Sequence, residues 1–179
     1  DILEMFYENN TYFIDKDGNF SIELVPSRLR GAVLNFEVKN KRTVIVKAGA
    51  RITARHIREI EKAKLTKLEV PTEFVIGDAL AKDIIDTESG EVLFQCNQEI
   101  TEELLEGLVK AGVKDFETIY TNDLDCGTFI SQTLRADSSR TQLESLVEIY
   151  RLMRPGEPPT KESAEYLFNN LFFSLERYD

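Results

Sequence analysis

Cysteine and histidine are nearly missing: only Cys96, Cys126 and His56 occur in 179 residues. The two cysteines stand 30 positions apart without C-x-x-C spacing, and a single histidine cannot complete a four-ligand zinc set, so no metal site is expected. So few thiols fit a reducing cytoplasm. No apolar run approaches the roughly 20 residues that cross a bilayer, and no basic-then-apolar leader opens the chain, so no membrane role is expected. Glycine-rich phosphate loops, G-x-S-x-G, H-E-x-x-H and the dinucleotide fingerprint are all missing. Glu102 and Glu103 are adjacent, but neighbouring helical residues point different ways, and acidic residues in a first helical turn answer the helix dipole. His56, between Arg55 and Ile57 near a helix start, reads as structural. No catalytic residue and no cofactor is assigned.

What remains has the composition of a folded protein, 42% hydrophobic and 30% charged. That length suits one or two domains. The chain opens at Asp1 within an apparent helix, ILEMFY, and stops at Tyr178-Asp179 without a turn, the pattern expected of an excised fragment.

The sharpest local signal is EIYRLMRPGEPPTKESAEYLFNNLFF, residues 148–173. Leu143, Leu146, Val147, Tyr150 and Met153 recur at helical spacing until Pro155 removes a donor and clashes with the preceding turn. Gly156 supplies the exit, Pro158 and Pro159 hold an extended stretch, and Thr160 is the expected N-cap of a second helix. That helix carries Ala164, Leu167, Phe168, Leu171 and Phe172 on one face. Arg151 and Arg154 sit one turn apart beside the break. Read locally, Arg154 could cap the last carbonyls of its own helix and Arg151 could pair with Glu148 or Glu157.

A shift of 48 positions lays residues 44–70 on residues 92–118. Ile45 meets Leu93, Ile52 meets Ile100, Ile57 meets Leu105, Ile60 meets Leu108, Leu65 meets Val113 and Leu68 meets Phe116. Thr53 meets Thr101, the expected N-cap in each copy. Each copy reads as strand, turn, helix, strand. The surfaces invert: Arg51, Arg55 and Arg58 fall on Glu99, Glu103 and Glu106. Residues 41–69 hold nine basic and three acidic residues, net +6, whereas residues 83–125 hold two basic and twelve acidic, net −10. Arg51, Arg55, Arg58 and Lys62 are expected along one helical stripe, facing water, an acidic partner or phosphates. Together with Glu99, Glu103 and Glu106 they are the candidate docking residues. Direct nucleic-acid binding ranks last, because an acidic sister would repel phosphates within about a Debye length.

YFIDKDGNFSIEL predicts a hairpin turning at Asp17-Gly18, with Phe13 and Asp15 alternating against Phe20, Ile22 and Leu24. Asp15, Asp17, Asn19 and Ser21 mimic a calcium loop, but Phe20 stands where glycine is required and Pro26 where the bidentate glutamate belongs. FVIGDALAKDIID and the turn TESG at residues 87–90 add short strands.

Four segments carry a family resemblance. YRLMRPGEPPT with AEYLFNNLFFSLERYD, TNDLD at residues 121–125 and ELVPSRLRG at residues 23–31 resemble the lobe of the bacterial DNA-directed RNA polymerase β subunit. ARITARHIREIEK, residues 50–62, resembles a lineage-specific insertion in the lobe of many proteobacterial β subunits, so the likeness spans the chain. It implies an α+β fold: two repeated strand-helix-strand modules of sandwich-barrel hybrid type (residues 8–126, repeat at about 44–70 and 92–118) inserted between lobe helices (residues 1–7 and 127–179). It implies a nucleotidyltransferase whose catalytic residues lie elsewhere, with the lobe walling the downstream DNA channel and Arg154 and Arg151, beside the rigid break, as the candidates for reaching DNA at a phosphate or a base. The implied partners are the other polymerase subunits, sigma factor, DNA through the whole enzyme, and transcription regulators or phage proteins at the insertion. The alternative is a stand-alone interaction adaptor.

Overall fold

The computed structural model describes residues 2–40, 43–86, 89–122 and 125–176. Thr87 and Glu88 of the expected TESG turn, Asp123 and Leu124 of the TNDLD segment, and residues 177–179 lie outside the described residues. The fold is α+β and divides into two units, Asp1–Leu134 and Arg135–Asp179.

The first unit is built on an antiparallel sheet of order β5-β2-β1-β8, formed by β1 (Asn9–Ile14), β2 (Phe20–Glu23), β5 (Lys67–Val70) and β8 (Asp115–Ile119). In the β1–β2 hairpin Tyr12 pairs with Ile22 and Ile14 with Phe20, so these four share a face. Tyr12 is buried at 1% exposure and stacks on Phe116, with ring centroids 5.3 Å apart. Phe13 occupies the opposite face, under the Lys67 ammonium at 3.3 Å. Phe13, which the sequence alternation sets with Asp15 against Phe20, Ile22 and Leu24, thus lies on the face opposite to Phe20 and Ile22. With two adjacent aromatics either phase of the alternation is apolar, and a one-residue slip exchanges the faces.

The hairpin loop is also longer than a two-residue turn. The Asp15 carboxylate accepts from the backbone N–H groups of Asp17 (2.9 Å) and Asn19 (2.8 Å) and from the Asn19 amide (2.9 Å), while Gly18 takes a φ of 81°. These hydrogen bonds, the Asn19 side chain first, hold the Asp15 carboxyl below the usual carboxylate range. The calcium-like spacing thus serves an Asx-type turn.

Two chain segments leave and rejoin this sheet in the same way. The first runs through a 3₁₀ turn (Pro26–Leu29), β3 (Val38–Asn40), β4 (Thr43–Val46) and α2 (Ala54–Lys62) into β5. The second runs through α3 (Thr72–Val75), β6 (Ile84–Ile85), β7 (Val92–Phe94) and α4 (Glu102–Lys110) into β8. Corresponding hydrogen bonds recur in both. Gly31 donates to the Ile52 carbonyl and Gly77 to the Ile100 carbonyl; Gly49 donates to Leu34 and Asn97 to Leu80; Leu65 donates to Ile60 and Val113 to Leu108. The left-handed residues correspond as well, Gly49 (φ 74°) with Asn97 (φ 65°) and Lys64 (φ 51°) with Gly112 (φ 70°). Ile52, Ile60, Ile100 and Leu108 are all essentially inaccessible and join one cluster with Tyr12, Leu80 and Phe116. Apolar burial of this kind is the main favourable term in folding.

A smaller cluster joins Leu3 and Tyr7, at or next to α1 (Ile2–Phe6), to Ala79, Ala81 and Ile119, with Ile130 and Leu134 of α5 (Phe129–Ala136) packed on it. The Tyr7 hydroxyl donates to the Gly127 carbonyl at 3.0 Å and accepts from the backbone N–H groups of Ile130 (3.2 Å) and Ser131 (3.4 Å), capping the start of α5 from more than a hundred residues away. Asn97 reaches the same helix: its amide donates to the Ser131 carbonyl at 2.9 Å and accepts from the Ser131 hydroxyl at 2.6 Å. Asn97→Gly keeps the left-handed backbone and deletes both bonds. It is expected to cost about 1–3 kcal/mol, read from urea unfolding, because Ser131 is fully buried.

The second unit pairs α6 (Gln142–Met153) with α7 (Lys161–Phe172). Both carry capping boxes, Thr141 with Glu144 and Thr160 with Ser163. Among the described residues of this unit only Leu146, Tyr150 and Ala164 are buried, with Leu167 and Phe168 beside them. Leu143, Met153 and Phe172, expected inward, are 43%, 53% and 53% exposed. A helix pair covers one narrow stripe, whereas the periodic apolar faces read from sequence are broader than one neighbour can bury.

Candidate interaction surfaces

The helix break is built as its sequence demands. α6 ends at Met153; Arg154 is the C-cap at φ −131° and ψ 66°, a non-helical conformation imposed by the following proline, and its N–H still donates to the Tyr150 carbonyl at 2.8 Å. Gly156 then turns at φ 90°. The Tyr150 hydroxyl donates to Glu157 at 2.9 Å, fixing the loop, and the Arg154 guanidinium stands 3.5 Å from the other Glu157 oxygen. That ion pair is half exposed on both sides and contributes little to stability. Arg151, one turn earlier, is exposed and has no ion-pair partner among the described residues. The Arg151–Glu157 pairing left open by sequence is thus taken by Arg154 and Tyr150.

In the first unit Arg55, Arg58 and Lys62 lie three and seven positions apart along α2 and are exposed. Arg55 pairs with Glu59 at 3.0 Å. Arg51 does not join this helical stripe. It precedes the Thr53 N-cap, bridges Val33 across an extended pair and donates from Nε to the Gly31 carbonyl at 3.2 Å. On α4, Glu103 and Glu106 are exposed, with Glu106 pairing with Lys110 at 3.1 Å. Glu99 precedes the Thr101 N-cap and bridges Ala79. His56 accepts the Thr53 N–H at Nδ1 (3.3 Å), closing a capping box, which is a structural task.

Two polar groupings had no local signal in the sequence. Asp78 is mostly buried and accepts from the Tyr12 hydroxyl at 3.1 Å and the Thr118 hydroxyl at 3.3 Å, residues 66 and 40 positions away. Burial pushes its carboxyl up to about 6, against the opposing pull of the two hydroxyls. Burial, and then Asp78, pushes the Tyr12 phenol upward, so Tyr12 remains the donor. The second grouping centres on Arg28, whose guanidinium lies 4.4 Å from the Tyr120 ring centroid and donates to Asn10 Oδ1 (2.7 Å), the Asn9 carbonyl (2.9 Å) and Glu8. Arg28 belongs to the ELVPSRLRG segment, and its side chain is only 18% exposed. It clamps the 3₁₀ turn to β1.

Both thiols are free; burial, then Asp83, pushes the Cys96 thiol up, away from thiolate chemistry. Among the described residues no group of His, Cys, Asp or Glu is placed to hold a metal ion, and no helix is long and apolar enough to cross a membrane. No protein-family model matches the chain.

Proposed function

We propose that this chain is a segment of the β subunit of a bacterial DNA-directed RNA polymerase. In this reading it supplies structure and contacts to the nucleotidyltransferase, in the cytoplasm, and the catalytic groups lie elsewhere. Residues 127–179 with residues 1–7 form part of the lobe that walls the downstream DNA channel. Residues 8–126 form an inserted pair of sandwich-barrel hybrid modules on which regulators dock. The observation that carries the reading is the α6–α7 break, where the residues that resemble the lobe, YRLMRPGEPPT, build a rigid turn presenting Arg154 and Arg151 outward. Tyr7 capping α5 supports it, because an insertion must leave and re-enter its host at neighbouring points. The recurring hydrogen bonds around Ile52 and Ile100 support a duplicated insertion.

Arg154 would exchange its weak pairing with Glu157 for a phosphate oxygen, a charge-assisted bond of about 1.5–3 kcal/mol. Polymerase carrying Arg154→Ala is therefore expected to lose open-complex lifetime by about tenfold; an unchanged lifetime removes the DNA role. Charge reversal of Arg51, Arg55 and Arg58 to glutamate is expected to leave circular dichroism intact, since all three are exposed, while weakening a regulator's effect on transcription. Loss of fold would instead make them structural.

The oppositely charged surfaces around α2 and α4 favour a second reading, a stand-alone adaptor for protein partners, in which the first experiment shows no effect of Arg154 and the second a loss of binding.

A further inference from the structure

The geometry points to the outer edge of β8 as a docking site for an extended basic peptide that adds to the sheet as a strand. Backbone groups along β8 alternate in direction. Toward β1, Ile14 donates to the Lys114 carbonyl at 2.8 Å and Tyr120 donates to the Glu8 carbonyl at 2.7 Å. Away from β1, Ile119 donates to the Ala79 carbonyl and Ala81 donates to the Glu117 carbonyl, both at 2.9 Å. This outer ladder stops at Ala81, where the chain bends away toward β6. By the same alternation the Glu117 N–H and both backbone groups of Asp115 face outward, and they have no backbone partner among the described residues. They open onto a cleft of about 420 Å³ that the β6–β7 hairpin also lines through Ile84, Ile85 and Leu93.

A strand entering there continues the ladder begun by residues 79–81, in the manner of β-augmentation: main-chain bonds give affinity and alternate side chains give selectivity. Ile85 is 53% exposed and Leu93 38%, so the hairpin wall has apolar surface to offer every second residue of the guest. Charge selects the remainder. Lys82 is occupied by Glu117, Nζ to Oε2 at 2.8 Å, and the rest of the cleft's charged lining is Lys114 with Asp83, Asp86 and Asp115. Edge strands are commonly guarded by charge against indiscriminate pairing. Here the guards are acidic, so they repel acidic strands and admit one that alternates aliphatic residues with lysine or arginine.

The test uses the 179-residue chain, isotope-labelled, titrated with acetyl-Val-Lys-Val-Lys-Val-amide. Saturable shifts of the Asp115 and Glu117 amides are expected, with hydrogen exchange at Glu117 slowed by about tenfold at saturation. A peptide N-methylated on the residues that face β8, and a Val/Glu counterpart, are each expected to bind at least about tenfold more weakly. Asp115→Lys, at an exposed position, is expected to weaken the Val/Lys peptide several-fold without altering the fold. Equal binding of the N-methylated peptide would reduce the effect to charge capture and overturn strand addition. Equal binding of the Val/Glu peptide would overturn the basic partner, and silent edge amides at millimolar peptide would overturn the site.

Discussion

Leu108→Ala is expected to remove about 2–5 kcal/mol of stability, and Ile60→Ala a closely similar amount. Both side chains are inaccessible to solvent, and both sit in the one large cluster of the first unit. Each occupies the same place in its helix, where its carbonyl accepts the N–H that reverses the chain into the following strand, Leu65 at 3.4 Å for Ile60 and Val113 at 3.1 Å for Leu108. The substitution removes the same number of carbons from each, and the backbone around each site has little room to collapse, because the helix is held to its exit strand by that bond. With domain stabilities of about 5–15 kcal/mol, either variant approaches the margin of folding at 37 °C. Urea midpoints at constant slope measure the two losses. Losses of similar size are what the corresponding burial and exit hydrogen bonds of the two helices lead one to expect. A loss below about 1 kcal/mol for Ile60→Ala alone would make the first helix an appendage on a core owned by the second, and the correspondence between the two segments would then be superficial.

How much of this was readable beforehand depended on whether the determining groups were close in sequence. The caps Thr53, Thr101 and Thr160 and the stop at Pro155–Gly156 act within one helical turn, and each stands where local chemistry put it. The β1–β2 hairpin was legible as a hairpin but not in phase, because Tyr12 and Phe13 are both suited to a core and only the register with Ile22 and Phe116 chooses between them. The stripe through Arg51 failed at the helix boundary: a capping threonine at position 53 already excludes residue 51 from the helix, and the residue instead meets Gly31 and Val33. Nothing local indicates the strand order β5-β2-β1-β8, which depends on pairings between segments up to about a hundred residues apart. For the same reason the partners of Asp78, the cap that Tyr7 supplies and the grip of Asn97 on Ser131 were invisible. Of the surfaces proposed to bind, Arg154 and the α2 and α4 charges could be named from sequence. The open edge of β8 could not, since it exists only because the outer ladder ends at Ala81.

Asp78 yields the second large expected effect, an excess stability of Asp78→Asn that appears only as pH rises. Its folded carboxyl titrates at about 6 against a reference of 3.8, so the folded chain holds that proton more tightly than the unfolded chain does. The contribution of such a group is fully present below its unfolded pKa and is lost as pH rises through the folded one. Over a gap of about two pH units the loss amounts to roughly 3 kcal/mol by pH 8. Asparagine keeps a carbonyl oxygen to accept from Tyr12 and Thr118 and has no charge to desolvate. The variant should therefore equal the wild type near pH 4 and exceed it by about 2–3 kcal/mol at pH 8. The carboxyls of Asp15, Asp137 and Glu117 are held below their usual range by hydrogen bonds, from Asn19, Ser139 and Lys82 respectively, so their contributions are lost as pH falls through the acid end of this window and below it; both chains share them, and they cancel from the difference. Urea unfolding of both chains at several pH values between 4 and 8 reads the difference directly. A difference that stays flat across that range would mean that the Asp78 carboxyl titrates in the fold as it does in the unfolded chain, and that water, not burial, governs it.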